Sequence, residues 1–325
     1  MSEKFLSVRD LWVNYELKNE TVHAVNGVSF ELEKGQTLGL VGETGAGKTT
    51  IARTILGILQ TPPGVVKKGE IILNGKDILK LSEEEMYKVR GNEVTIIFQD
   101  PMTALNPVMS VGEQISEVIQ LHNKISAKEA RERAEEMLEL VGIPRERYIE
   151  YPHQFSGGMK QRVVIAIALA CSPDLLLADE PTTALDVTIQ AQMLDLMRNL
   201  HEKKGTTTIL ITHDLGVVAE MCDVVAVVYA GEIVEYGSLE QVFTKPSHPY
   251  TVGLFNAVPD LETEAERLSP IEGLPPDPTA LPEGCKFSPR CPYATEACRS
   301  GEIKDVELGG GHRCKCLRAK EGADV

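Results

Sequence analysis

Aromatic residues are scarce in this 325-residue sequence, at 5% with a single Trp. Long apolar runs are absent. The longest, Val163 to Cys171, is closed by Ser172-Pro173, well short of the ~20 apolar residues that span a bilayer. Basic excess is absent too. The net charge is −15, which argues against bulk binding to phosphate backbones and general adhesion to anionic lipid, leaving either open only to a local patch. Met1-Ser2-Glu3-Lys4-Phe5 carries no apolar core of a secretory signal. The expectation is a cytosolic chain that binds no nucleic acid and meets a membrane only through a partner. Cysteines are few before residue 285, with Cys171 and Cys222 standing alone. The other five, Cys285, Cys291, Cys298, Cys314 and Cys316, crowd the last 41 residues. In a reducing compartment such a cluster reads as metal binding before disulfides.

What is present is a 42% hydrophobic content, enough for one large domain with an appendage. Three β-type segments occupy residues 5–41, ending in Thr37-Leu38-Gly39-Leu40-Val41. A Gly-rich turn and a helix over Lys48–Leu59 follow. Further short strands are expected at 70–73, 95–98, 175–178, 207–212, 224–228 and 232–235. Helices are expected over 110–142, 157–171 and 187–202. Strands alternating with helices predict an α/β core with a mostly parallel sheet. Eight of the 18 prolines lie between Pro259 and Pro292, which excludes a long helix or a central strand there. The expected organisation is a domain over 1–245 with a helical part at about 105–160, a Pro-rich linker over 246–284, and a Cys-rich tail over 285–325.

The chemistry begins at Gly42-Glu43-Thr44-Gly45-Ala46-Gly47-Lys48-Thr49, followed by Thr50. The pattern GxxxxGK[ST] lies after an apolar strand and before a helix, where its mechanism requires it. Its backbone N–H groups and the helix N-terminus cradle phosphate. Lys48 reaches the β and γ phosphates and the Thr49 hydroxyl ligates Mg²⁺, so the expected cofactors are ATP and Mg²⁺. A second element is Asp179-Glu180, closing the apolar run Leu175-Leu176-Leu177-Ala178. An Asp-Glu pair after a strand is usually a solvated turn. Beside a phosphate loop, Asp179 becomes a Mg²⁺ site and Glu180 the base that polarises the attacking water.

Phe155-Ser156-Gly157-Gly158-Met159-Lys160-Gln161-Arg162 resembles the LSGGQ signature of ATP-binding-cassette (ABC) ATPases. The resemblance covers roughly residues 5–245. It implies the ABC nucleotide-binding fold, a RecA-like core plus a helical subdomain, with the small Cys-rich extension added here. It also implies a head-to-tail pair of subunits in which Ser156, Gly157 and Gly158 close over the other subunit's ATP. By the same resemblance, Gln99 senses Mg²⁺ and the attacking water. Thr183-Ala184-Leu185-Asp186 crosses the dimer interface, His213 contacts the γ-phosphate, and Tyr15 stacks on adenine. Met159 and Phe155 depart from the usual Gln and Leu.

Finer resemblance lies in Phe98-Gln99-Asp100-Pro101-Met102-Thr103-Ala104-Leu105-Asn106-Pro107, in residues 181–192 and in His248-Pro249-Tyr250-Thr251. These look like the ATPases of dipeptide/oligopeptide importers, and Thr182-Thr183 like the chain type named first in each pair. The implied partners are a second, homologous ATPase subunit, two transmembrane permease subunits and, indirectly, an extracytoplasmic peptide-binding protein. The implied location is the cytoplasmic face of the cell membrane. Nickel and oligosaccharide importers share the scaffold, and a soluble non-transport cassette ATPase is the remaining alternative. The tail of these importers implies a [4Fe–4S] cluster on Cys285, Cys291, Cys298 and Cys316. Cys314 competes for the fourth position, and zinc or an unliganded tail competes with the cluster.

Overall fold

The computed structural model describes residues 4–99, 101–181, 187–257 and 271–320. In chain order the strands are β1 (Leu6–Glu16), β2 (Thr21–Leu32), β3 (Thr37–Val41), β4 (Gly64–Leu73), β5 (Lys76–Asp77), β6 (Val94–Ile97), β7 (Leu175–Asp179), β8 (Thr207–Ile211), β9 (Val224–Tyr229), β10 (Glu232–Ser238), β11 (Val306–Gly309) and β12 (His312–Cys314). The chain divides into two compact units, Met1–Leu79 with Ile211–Val325, and Lys80–Leu210.

The first unit carries an antiparallel sheet in the order β2-β1-β4-β5. It also carries a mixed run β11-β12-β10-β9-β3. β3 is buried along its whole length and lies parallel to β9, pairing Leu38 with Val224 and Val41 with Val227. A strand covered on both faces reads as one continuous apolar run, and Thr37–Val41 does so. The helix after the Gly-rich turn spans Lys48–Ile55. It ends earlier than its apolar spacing predicts, because Gly57 turns left-handed at φ 67°.

The C-terminal segment is woven into this unit. Antiparallel β12 pairs Cys314 with Glu235 and Arg313 with Tyr236 on β10. Glu235 is 1% exposed and accepts from the backbone N–H groups of Ser247 at 2.7 Å and His248 at 2.9 Å. The His312 Nε2 lies 2.8 Å from the same carboxylate. A helix over Pro249–Asn256 occupies part of the Pro-rich stretch. Pro sits at its first turn, where no N–H is needed, and the His248 side chain caps it by accepting from the Tyr250 N–H. Tyr229, Tyr250 and Phe287 then form an aromatic cluster, with ring centroids 4.5 to 5.4 Å apart.

The second unit holds β6, β7 and all but the last residue of β8. β6 and β7 run parallel, matching Val94 to Leu175 and Ile97 to Ala178. The helical stretch expected as continuous over 110–142 is two helices, Val111–His122 and Ala127–Leu140. The cause of the break is local. Ser126 caps a new helix by accepting from the Glu129 N–H, as Ser110 does with a full capping box at Glu113. The helix Gly157–Leu169 and the helix Val187–Lys204 belong to the same unit. Among the described residues, no helix is long and apolar enough to cross a membrane.

Candidate nucleotide site

The turn after β3 places Gly42–Gly47 at the head of the Lys48–Ile55 helix. Two glycines are required sterically. A Cβ on Gly42 would meet the Val228 carbonyl oxygen at 2.1 Å, and one on Gly47 (φ 102°) the Ala24 carbonyl oxygen at 2.3 Å. The helix has no acidic residue in its first turn, so the positive end of its dipole is not answered from within that turn. Lys48 is 6% exposed. Its Nζ donates to the carbonyls of Gly42 at 2.7 Å and Glu43 at 2.9 Å. Thr44 and Gly45 are exposed, while Thr49 and Thr50 are half-buried. The Tyr15 hydroxyl lies 3.1 Å from Thr50 Oγ1, which ties the end of β1 to the helix.

A cavity of about 140 Å³ opens beside this loop. Glu43–Ala46 and His23 line it on one side and Pro275, Pro276 and Pro278 on the other. The His23 N–H donates to the Pro278 carbonyl at 2.9 Å, anchoring the Pro-rich segment to β2. Glu43 is held twice. Its N–H donates to the Tyr250 hydroxyl at 2.9 Å. Its carboxylate receives both ends of the Arg290 fork, at 2.8 and 3.0 Å. The Glu43 carboxylate raises the pKa of Arg290 against the opposing effect of burial. The sequence reading did not reach Arg290. A lone Arg between two cysteines carries no local signal of a partner 247 residues away. His213, also in this unit, follows β8 as an exposed residue.

The second unit holds the other group of expected residues. Asp179, 4% exposed, closes the buried β7. Glu180 follows at φ 49°, a left-handed conformation uncommon for a non-glycine residue. The Gln99 Nε2 donates to its carboxylate at 2.9 Å, so the side chains after β6 and β7 meet. The buried Gln161 Nε2 donates to the Pro181 carbonyl at 2.7 Å and pins the backbone just after Glu180. Ser156 caps the helix Gly157–Leu169, accepting from the Met159 N–H. Ser156 and Gly157 are exposed and Gly158 half-buried. A side chain at Gly157 would face open space. The expected interface loop, residues 183–186, lies outside the described residues.

All seven cysteines are free. Cys285, Cys291, Cys298 and Cys316 line one small cavity with Phe287 and Tyr293, and Cys314 does not line it. Burial pushes the Cys285 thiol up to about 11, with smaller contributions from its neighbouring thiols, and raises Cys291 likewise. Among the described residues, no group of three or more His, Cys, Asp or Glu side chains is arranged to hold a metal ion as it stands.

The sequence matches the ABC transporter family over residues 25–183. It matches the family described as "Oligopeptide/dipeptide transporter, C-terminal region" over residues 234–298. It is 48% identical to the oligopeptide transport ATP-binding protein AppD of Bacillus subtilis, over 98% of both chains. It is 50% identical to the oligopeptide transport ATP-binding protein OppD of Escherichia coli, over 98% of this chain and 95% of that one. It is 51% identical to the dipeptide transport ATP-binding protein DppD of Bacillus subtilis, over 91% and 89%. This chain is an ABC transporter ATPase. Among solved structures, an ATP-binding cassette in a dimeric post-hydrolysis state with bound ADP and Pi matches at 27% identity. It covers 72% of this chain and 98% of that one, with a TM-score of 0.66.

Both departures from the usual ABC signature are accommodated in the fold. Phe155 is 5% exposed, and the Arg147 guanidinium lies 4.2 Å from its ring centroid. Arg147 also donates to the Gln154 carbonyl at 3.1 Å, approaches Met159 Sδ at 3.3 Å and pairs with Glu150. Phenylalanine offers the cation a ring that leucine lacks, and the methionine sulfur takes a place beside it.

Proposed function

We propose that this ABC ATPase energises the import of di- and oligopeptides from the cytoplasmic face of the cell membrane. Its partners are a homologous ATPase subunit, two transmembrane permease subunits and, indirectly, an extracytoplasmic peptide-binding protein. The loop Gly42–Thr49 wraps the phosphates and Tyr15 stacks on adenine. Lys48 leaves its own loop carbonyls for the β and γ phosphates. Glu180 takes a proton from the attacking water, held in line by Gln99, and His213 contacts the γ-phosphate. The partner's segment equivalent to Ser156-Gly157-Gly158 caps the phosphate from the far side. Thr49, Asp179 and Gln99 would hold Mg²⁺, which supplies charge neutralisation between the phosphate oxygens. The hydroxyl, carboxylate and carboxamide oxygens are the hard donors that ion prefers.

In the tail, the four thiols lining one cavity suit a [4Fe–4S] cluster on Cys285, Cys291, Cys298 and Cys316. Such a cluster would staple a segment with little core of its own. Anaerobic purification followed by iron and sulfide analysis tests this. About four of each per chain is the expected result, and stoichiometric zinc overturns it. On this reading residues 1–245 form the cassette, 246–284 the linker and 285–325 the cluster-bearing extension.

The observation that carries the peptide cargo is the similarity to peptide transport ATP-binding proteins along 98% of the chain, tail included. The test is reconstitution with permease subunits and binding protein in vesicles. Peptides are expected to raise the ATPase rate and accumulate inside. Stimulation by nickel or oligosaccharide instead, with peptides inert, removes the peptide assignment.

A further inference from the structure

We propose that Arg290, in the C-terminal extension, is a positioning residue for the phosphate loop, acting through the side chain of Glu43. The extension thereby forms part of the nucleotide site's support.

The guanidinium has five N–H donors in a fixed plane, and each has an acceptor. Nε donates to the Glu272 carbonyl at 3.0 Å. Nη1 donates to Glu43 Oε2 and, at 3.3 Å, to the Tyr229 hydroxyl. Nη2 donates to Glu43 Oε1 and, at 3.2 Å, to the Ile271 carbonyl. Four segments distant in sequence meet at one cation: the phosphate loop, the end of β9, Ile271–Glu272 within the Pro-rich stretch, and the cysteine-bearing turn that carries it. The Arg290 side chain is 5% exposed and that of Glu43 28%, so solvent screens the pair weakly. The cation also lies 5.8 Å from the Tyr229 ring centroid and 5.9 Å from that of Phe287. A guanidinium engaged on every side cannot follow a moving partner. It fixes the position of Glu43.

Fixing Glu43 has a consequence for Lys48. The Glu43 carbonyl accepts from the Lys48 ammonium, as the Gly42 carbonyl does, so the orientation of these peptides bears on the resting place of the lysine. The Tyr250 hydroxyl on the Glu43 N–H holds the preceding peptide, Gly42–Glu43, whose carbonyl also accepts from Lys48. On the phosphate-cradle role proposed above, a loosened Glu43 lets the loop sample shapes that do not fit a triphosphate. Nucleotide affinity then falls in proportion to the competent fraction. A lysine at 290 cannot substitute, because a single point charge does not span two carboxylate oxygens and three further acceptors.

The experiment measures the affinity of the purified full chain for a fluorescent ATP analogue, with thermal unfolding alongside. The variants are Arg290→Ala, Arg290→Lys, Glu43→Gln, the double variant Arg290→Ala/Glu43→Gln, and Lys48→Ala. Arg290→Ala and Glu43→Gln are each expected to weaken ATP binding about ten-fold, with Arg290→Lys giving no rescue. The double variant is expected to be no weaker than the worse single one, because contacting partners are non-additive. Should Arg290→Ala fail to fold, Glu43→Gln decides alone, since it leaves Arg290 its other acceptors. Wild-type affinity in Glu43→Gln, or losses that simply add, overturns the positioning role when Lys48→Ala does weaken binding. If Lys48→Ala also binds normally, the phosphate-cradle reading itself is what fails.

Discussion

At the scale of single residues, two side chains carry sharp expectations. Glu180 sits in a left-handed backbone with the Gln99 Nε2 donating to its carboxylate. Glu180→Gln is expected to lower the ATPase rate by a factor of about 10²–10⁴ while nucleotide stays bound, read by single-turnover hydrolysis and filter retention. His248 is a structural counterpart. It is 1% exposed, and burial lowers its pKa to about 3 from an ordinary 6.5. The folded state therefore keeps it neutral where the unfolded chain would protonate it. Its contribution to stability is present in full above pH 6.5 and is lost as pH falls from there toward about 3. Between pH 7 and pH 5 that loss is about 2 kcal/mol. His248→Asn, which keeps an acceptor for the Tyr250 N–H, is expected to remove that part of the pH dependence in urea titrations. An unchanged difference between the two pH values would show that the imidazole does not titrate against folding.

At the scale of elements, what was legible in the sequence was whatever its neighbours in the chain determine. The phosphate loop, the apolar runs of β3 and β7, and the Ser cap ahead of Gly157–Leu169 all announce themselves within a dozen residues. The break between Val111–His122 and Ala127–Leu140 was also written locally, in the Ser126 side chain that accepts from the Glu129 N–H. β12 was not legible, because three residues carry no periodicity and their pairing with β10 is a long-range fact. Nor was the role of Arg147, whose contacts to Phe155, Gln154 and Met159 depend on how a turn folds back on a helix start. Two predictions belong here. Arg147→Ala is expected to lower ATPase activity about ten-fold, some 1.4 kcal/mol, with ATP affinity at the chain's own loop unchanged. Equal losses in both quantities would place the defect elsewhere. Glu235→Ala strips two backbone donors and His312 of a buried acceptor at the seam of β10, β12 and the Pro249–Asn256 helix. It is expected to cost about 3 kcal/mol or more in chemical denaturation.

For the molecule as a whole, the proposed head-to-tail pairing predicts that the Glu180→Gln chain, unable to clear its ATP, runs as a two-subunit complex with its homologous partner on size-exclusion chromatography when Mg-ATP is added, and separates from it with ADP. The division into two units has another effect, on the order in which the protein is made. Lys80–Leu210 is contiguous and leaves the ribosome as one uninterrupted stretch. The other unit is split around it. Glu43 emerges early and its clamp Arg290 follows 247 residues later, a wait of roughly 10–50 s at ordinary elongation speeds. For most of that interval the turn proposed for nucleotide has neither its cation nor the Tyr250 hydroxyl, and once β10 is made its edge stays open until β12 follows. Nascent chains arrested near residue 260 should therefore resist protease in their middle and be cut readily at both flanks. A full grip on ATP would arrive only once Arg290 has emerged, so the growing chain stays a poor consumer of fuel until then.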